Sequence, residues 1–457
     1  MGRLIARFVQ YNNQNLELVD VFESGCEKKI IKDEKIDSIS KTYPTARWFE
    51  RKIKDDYNVT IQGAYDNRVL LHHERFPKIH PMRKEFNKKS IDEVDFTPYP
   101  YEVINGEGVF NVSVGPIHAG IIEPGHFHFS QAGEQILHLE VRHFYKYRGI
   151  EKMCEGKTIE EIEKIVARIS GNESVAYQSA LNSIKFQSLH VKEDINQQLQ
   201  NAILLELERL VHHFTDIGFI PNDGGFGAAL SLGSKYAEDS KEILNHLSGS
   251  RFGFDSVSQS LHLENKKDML LEFVSNMTKE IEWFEDWVSD IPSLWDRLDT
   301  TGPLSLKEAK YYGCVGVVAR GSGLSNDVRN KSEIYKNYGF KEARDSVGDV
   351  ASRFKIRLFE IKNSLQMVKN MIRDLKSFDI STCKEFKDGE FDSFVESSIG
   401  ELYMHIKLKD GLIERFYVRD PSFINWQALH LMMPKDIIAD FPLINKSCDL
   451  SYAGNDL

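Results

Sequence analysis

Between Gly115 and Lys157 the chain gathers five histidines, His118, His126, His128, His138 and His143, together with Glu123 beside a Pro-Gly pair. Imidazoles titrate near neutral pH and are common metal ligands, so their crowding on one ribbon marks a candidate site. His126 and His128 fall on the same strand face and supply two potential metal ligands, but spacing names no third or fourth. The alternative, polar-face histidines bonded to neighbours or water, stays open. His212-His213 follows Leu210-Val211 on an apolar helix, where a core role weighs more. Asp223-Gly224-Gly225-Phe226-Gly227 lacks the G-x-x-x-x-G-K-[ST] pattern of a phosphate loop. Arg320-Gly321-Ser322-Gly323 lacks the G-x-S-x-G elbow of an activated serine and reads as a connection before a helix over 326–336.

The elements that must position these groups are legible from periodicity. Phe127 and Phe129 alternate with His126, His128 and Ser130, and Leu137, Leu139 and Val141 alternate with His138, Glu140 and Arg142. Alternation on both sides of the Gln131–Glu134 turn predicts a β-hairpin with one buried and one polar face. Thr158 with Glu161 three residues on forms a capping box, and Ile162, Ile165, Val166 and Ile169 give one helical face. Ile203, Leu207, Leu210, Val211 and Phe214 define a second helix, Phe273 to Val288 a third, and Val350 through Met371 a fourth. The middle of the chain is therefore expected to be a helical bundle. Strands return at 401–407 and 414–418.

Ahead of the hairpin, residues 1–40 are polar with short apolar runs, and Tyr43–Phe86 forms a distinct unit. Within it, Trp48, Phe49 and Ile53 interleaved with Glu50, Arg51 and Lys52 suit a short amphipathic helix. The Arg83-Lys84 cluster reads as a solvated loop or as a docking surface. Asp92–Pro100 is a Pro-containing linker, which places a domain boundary near residue 100.

The chain has 457 residues, 41% hydrophobic and 28% charged, with a net charge of −11, as expected of a globular protein large enough for two or three domains. The acidic balance without a basic stripe excludes a nucleic-acid partner. Cys26, Cys154, Cys314, Cys383 and Cys448 are scattered and unpaired in sequence, which argues for a reducing compartment and against an all-Cys metal site. No apolar run approaches a membrane span, and Met1–Ala6 lacks a signal peptide's apolar core. Any membrane association is expected to run through partner subunits.

Taken together, the motifs resemble those of the large subunit of membrane-bound, energy-converting [NiFe] hydrogenases and of the related quinone-pocket subunit of respiratory complex I. Gly115–Phe127 (GPIHAGIIEPGHF) resembles the opening of that domain, and Tyr147-Arg148-Gly149-Ile150-Glu151-Lys152 its H-R-G-I-E-K turn. Leu205–Arg209 with His213 and Asp216-Ile217-Gly218 resembles L-E-L-E-R…H…D-x-G. Val317–Gly323, Gly348-Asp349-Val350, Val395-Glu396, Gly400-Glu401 and Val418–Phe423 also match. Tyr43–Phe86 is similar to the end of the smaller complex I subunit often fused ahead of this domain, shorter here than usual. The resemblance implies an α+β chain: a small α/β module over 1–100, then over 101–457 a mainly helical bundle with an N-terminal antiparallel hairpin or sheet.

The family's metal-binding pattern departs here. Hydrogenases of this kind carry R-[IV]-C-G-x-C-x-x-x-H and D-P-C-x-x-C, and the four thiolate positions are Ser170, Glu173, Ser451 and Gly454 in this chain. Soft nickel and iron require thiolate, so no metal and no hydrogenase activity is expected. The quinone signatures H-P-S-T-H-G and R-x-D-Y are absent too, although His118, His126 and Tyr177 could serve a modified pocket. The resemblance further implies a peripheral subunit on the cytoplasmic face of a complex I-like redox or ion-translocating assembly. It would bind no cofactor itself and would dock on an iron–sulfur small subunit and on membrane-arm subunits of antiporter type. Glu123 matches a proton-passing glutamate of the hydrogenases, and Arg168, Glu173, Tyr177 and Asp456 are expected to line the vacated cavity with His118 and His126. Reduction of quinone or another acceptor in a rebuilt pocket, and a purely structural scaffold, are the alternatives.

Overall fold

The computed structural model describes residues 2–86, 94–118, 122–379, 385–434 and 436–457. Asp92, Cys383 and the stretch 119–121 of the histidine-rich loop lie outside these. Helix outweighs strand, about 45% against 18%, as the α+β expectation requires.

Residues 1–40, polar in their overall reading, carry a three-stranded antiparallel sheet of Leu4–Asn12, Asn15–Phe22 and Gly25–Ile30. Its first strand is buried at every position from Leu4 to Gln10, which is why period-two alternation does not reveal it. One face carries the helix Ala46–Tyr57. On the other side Phe8 stacks on Tyr417 at 4.2 Å, and Arg415 Nε and Arg419 Nε donate to the carbonyls of Val9 and Ile5 at 3.0 and 3.1 Å. The N-terminal sheet thus leans on the antiparallel sheet of Gly389–Glu396, Glu401–Lys409 and Leu412–Arg419, whose first strand the sequence pattern does not reveal.

The Ala46–Tyr57 helix forms as expected, but its polar residues are not solvated. Glu50 accepts from Ile39 N and Ser38 Oγ, both at 2.7 Å, and Lys52 pairs with Asp56 at 2.6 Å. The Arg83-Lys84 cluster is tied down locally at the surface, with Arg83 half-buried and Lys84 exposed. Arg83 pairs with Glu34 at 2.6 Å, and Lys84 Nζ donates to Asn13 O at 2.8 Å while lying over the Tyr11 ring.

The hairpin is the centre of a larger sheet. His126–Ala132 pairs with Gln135–Arg142 on one side and with Val109–Val114 on the other. A register shift after Ser130 pairs Gln131 with Ile136, so Ile136 and Leu139 are buried while Leu137 is only half-buried. The alternation through Leu137 is corrected by this bulge, which inserts one residue and swaps the faces beyond it. The histidine face is covered rather than solvated: Tyr101 packs on His126 and His128 with ring centroids at 4.9 and 4.7 Å.

Behind the sheets the bundle follows the apolar periodicities. Ile195–Asp223 packs on Ala228–Ser248 and Val350–Asp374, and Lys267–Ser289 packs on the latter. Thr158 and Glu161 make the expected capping box. A Cβ on Gly233 would stand 2.6 Å from Gly218 Cα, so the D-x-G glycine marks a close helix crossing. The expected helix over 326–336 divides into a 3-10 turn at Val328–Lys331 and a short helix at Glu333–Asn337.

The bundle's middle holds a dry ionic network built from the motif residues. Arg320 pairs with Glu396 at 2.6 Å, Glu360 at 2.7 Å and Asp327 at 3.2 Å. Arg329 bridges Asp327 and Glu206 at 2.8 and 3.3 Å, Arg209 pairs with Glu206 at 3.1 Å, and His213 meets Glu360 at 2.9 Å. All are at most 3% exposed. Arg320→Ala would strand Glu360 and Glu396 beside the remaining cations. Denaturant unfolding is expected to show a loss of about 3–5 kcal/mol, against little change for the surface variant R251Q.

Candidate functional site

The positions that carry thiolates in the resembled family converge where the Tyr452–Asp456 helix meets the start of Ser174–Ser188. Ser451 caps its helix by accepting from Gly454 N at 2.9 Å, and its hydroxyl lies 3.3 Å from that of Ser170. A Cβ on Gly454 would stand 2.2 Å from Asp420 Oδ2. Asp420 Oδ2 also accepts from Tyr177 at 2.6 Å, while its Oδ1 caps the Pro421–Asn425 helix through Ser422 N at 2.7 Å. Glu173 is 1% exposed, and neither of its carboxyl oxygens has a hydrogen-bond partner among the described residues. Burial, then the Asp420 carboxylate, push its pKa well above the ordinary glutamate value. The cluster is two buried carboxyl groups, a phenol and two hydroxyls.

Glu123 and Asp456 sit at the outer edge and tie the tail to the hairpin. Glu123 forms an ion pair with Lys146 and accepts from Ala453 N at 2.8 Å. Asp456 accepts from Phe144 N and Lys146 N, both at 2.9 Å, and burial raises its pKa to about 6. Arg148, of the Arg-Gly-Ile-Glu-Lys turn, donates to Ile169 O at 2.7 Å and Ala453 O at 3.0 Å and so clamps the two motif segments together.

Three expected cavity residues lie elsewhere. Arg168 faces solvent in a bidentate pair with Asp255 at 3.0 and 2.9 Å; it follows the Ile159–Val166 helix, whose buried stripe takes Ile162 and Val166 instead. His126 belongs to the strand face under Tyr101, opposite the Phe127 face that packs on Trp426; burial lowers its pKa to about 4. His118 is committed to the Gly125 carbonyl at 2.7 Å. The histidine that does reach the cluster's wall is His143, one residue past the hairpin, which sequence reasoning passes over. It is 1% exposed, its ring is 4.1 Å from Trp426 and 5.3 Å from Tyr452, and burial lowers its pKa to about 3, so it is neutral. Trp426 in turn donates to Ser451 O at 3.3 Å. Asp420 and Glu208 also escape sequence reasoning as site residues, although both fall inside motifs. Among the described residues no three His, Cys, Asp or Glu side chains are grouped to hold a metal ion.

Glu208 lies behind Glu173 and accepts from Val175 N and Ala176 N at 2.6 and 3.1 Å. Burial still raises its pKa from 4.5 to about 7. The folded state therefore holds this proton where the unfolded chain has lost it. Its stabilising contribution is complete below pH 4.5 and disappears as pH rises through about 7. Compared with Glu208→Gln, the wild-type chain is expected to lose up to about 3 kcal/mol of unfolding free energy across that window. Parallel pH curves for the two chains would contradict the assignment.

Two family descriptions match the chain: respiratory-chain NADH dehydrogenase 49 Kd subunit over residues 237–387, and the 30 Kd subunit over residues 7–91. Formate hydrogenlyase subunit 5 of Escherichia coli is 27% identical over 446 residues, covering 92% of this chain and 76% of the relative. The C/D subunit of NADH-quinone oxidoreductase from Phocaeicola vulgatus is 24% identical over 447 residues, covering 90% and 85%. Membrane-bound hydrogenase subunit alpha of Pyrococcus furiosus is 24% identical over 364 residues, covering 74% and 85%. With the hairpin, the buried motif network and a 30 kDa-type segment ahead of them in one polypeptide, the chain is similar along most of its length to complex I 49 kDa-type subunits and membrane-bound hydrogenase large subunits.

Proposed function

We propose that the chain is a peripheral subunit of a membrane-bound, complex I-like redox or ion-translocating assembly, and that it holds no nickel–iron centre of its own. The observation that supports this reading most is the fate of the cradle. Where thiolates would stand there are two hydroxyls 3.3 Å apart, a buried carboxyl whose pKa is raised and a glycine with a carboxylate oxygen in its side-chain space. These donors do not fit soft, low-valent metals. The nearest cysteine in sequence, Cys448, is buried against Met432 at 3.6 Å with its thiol pKa raised. No hydrogenase activity follows from such a site.

No helix among the described residues is long and apolar enough to cross a membrane. The proposed attachment, to the cytoplasmic face, runs through an iron–sulfur small subunit and membrane-arm subunits of antiporter type. Residues 1–100 serve as the 30 kDa-type module and 101–457 as the 49 kDa-type domain. Glu123 is assigned proton transfer, because it is half-exposed yet bonded directly to the tail that carries Ser451 and Gly454. The quinone-reducing alternative has less support: Tyr177, His118 and His126 are committed to Asp420, Gly125 and Tyr101 rather than to a common ligand.

Elemental analysis of the assembled complex is expected to give far less than one nickel per copy of this chain; stoichiometric nickel would refute the reading. In the same assembly Glu123→Gln is expected to slow ion transport about tenfold or more without loss of the complex. Unchanged transport would leave the chain a scaffold.

A further inference from the structure

A cavity of about 110 Å³ opens where three parts of the chain meet: the Ala46–Tyr57 helix, the outer hairpin strand, and the Trp426–Met432 turn with Tyr312. Its three arginines and three carboxylates balance in number but not in pairing. Arg51 and Arg68 are balanced by Asp66 and Glu140, with Arg51–Asp66 at 3.1 Å, Arg68–Asp66 at 2.8 Å and Arg68–Glu140 at 2.6 Å. Glu102 reaches Arg68 only at 3.4 Å from the rim, with 54% of its side chain exposed. Arg47 is left over. It has no carboxylate within ion-pair distance among the described residues, and its guanidinium lies 4.0 Å over the Tyr65 ring with a buried, unpartnered Nε. Glu308, whose field reaches His430, is occupied in capping the Leu306–Tyr311 helix.

The polar atoms beside Arg47 are donors or neutral. His138 Nε2 is buried without a partner. Tyr312 OH lies 3.4 Å from His430 Nε2, whose ring burial keeps neutral by lowering its pKa to about 4. The indoles of Trp48 and Trp426 supply apolar walls. A half-buried guanidinium without an ion-paired carboxylate, in a cavity with hydroxyl and imidazole groups and flat apolar walls, is an arrangement suited to a small anion.

We propose that this cavity is a binding site for a small monocarboxylate, held by Arg47 with Tyr312 and His138 as neutral partners. Arg47, the cation of the lining without an ion-paired carboxylate, suits a monoanion, whereas a dianion would bring a second negative charge beside Asp66, Glu140 and Glu102. The site exists only where the N-terminal module is seated on the hairpin. Its floor, Trp426, is also the residue that donates to Ser451 O. The carboxylate therefore bridges the two modules and stands one side chain away from the Ser170–Ser451 cluster.

Acetate is a suitable probe, titrated as ¹³C-acetate into the full-length chain at constant ionic strength with chloride, and read by NMR line broadening and by thermal unfolding. Saturable binding is expected for the wild-type chain and for the distant surface variant R251Q, with about tenfold or greater weakening in R47Q. Should R47Q fail to fold, Tyr312→Phe is expected to weaken acetate several-fold with circular dichroism unchanged. Absence of saturable acetate binding, an R47Q or Y312F chain that binds acetate like the wild type, or sulfate binding at least as tightly as acetate would each overturn the proposal.

Discussion

Seven ionisable side chains taken out of water in the middle of the bundle can persist only as one closed network. Arg209, Arg320 and Arg329 face Glu206, Asp327, Glu360 and Glu396 with essentially no solvent contact. Removing any one leaves its partners uncompensated in a low dielectric, which costs far more than the pairing itself contributes. The members come from Ile195–Asp223, Gly316–Gly321, the Val328–Lys331 turn with Asp327 ahead of it, Val350–Asp374 and Gly389–Glu396, so satisfying the charges fixes how helices and sheet approach one another. Arg209 extends the constraint by donating to the carbonyls of Glu396 and Ser397, both at 2.7 Å.

That constraint gives the motifs shared with the resembled family a structural role that does not depend on a metal, whatever stands at the expected metal-ligand positions. Glu206, Arg209, His213, Arg320 and Glu396 hold the architecture, and their loss would be felt whether or not chemistry takes place. The thiolate positions are under no such obligation. With Ser170, Glu173, Ser451 and Gly454 there, the space is taken by Asp420, Tyr177 and the buried Glu173 carboxyl. The tail keeps its place through backbone contacts to Arg148, Glu123 and Asp456 rather than through a metal.

What the sequence made legible divides along physical lines. Helices with one apolar stripe, such as Ile203–Phe214 and Phe273–Val288, were readable because period and burial coincide. The hairpin was readable up to Ser130, beyond which one bulged residue moves Ile136 rather than Leu137 into the core. Leu4–Asn12 was hidden because it is covered on both faces. At the site, the four substituted positions and Tyr177 follow from motif register. Arg168 and His126 do not, because a motif gives position along the chain but not the side to which a side chain points. Asp420 and His143 owe their importance to folding across more than two hundred residues, which no local pattern records.

The seating of the first strand against the last sheet has a consequence for synthesis. Val9 O receives Arg415 across 406 residues and Ile5 O receives Arg419 across 414. At about 5–20 residues per second, the second partner emerges from the ribosome roughly 20–80 s after the first. Throughout that interval Leu4–Gln10 has one apolar face and no sheet to receive it. A nascent chain that lacks residues up to 419 therefore presents this strand without the sheet that covers it in the finished fold, a surface open to wrong pairing until synthesis reaches that point.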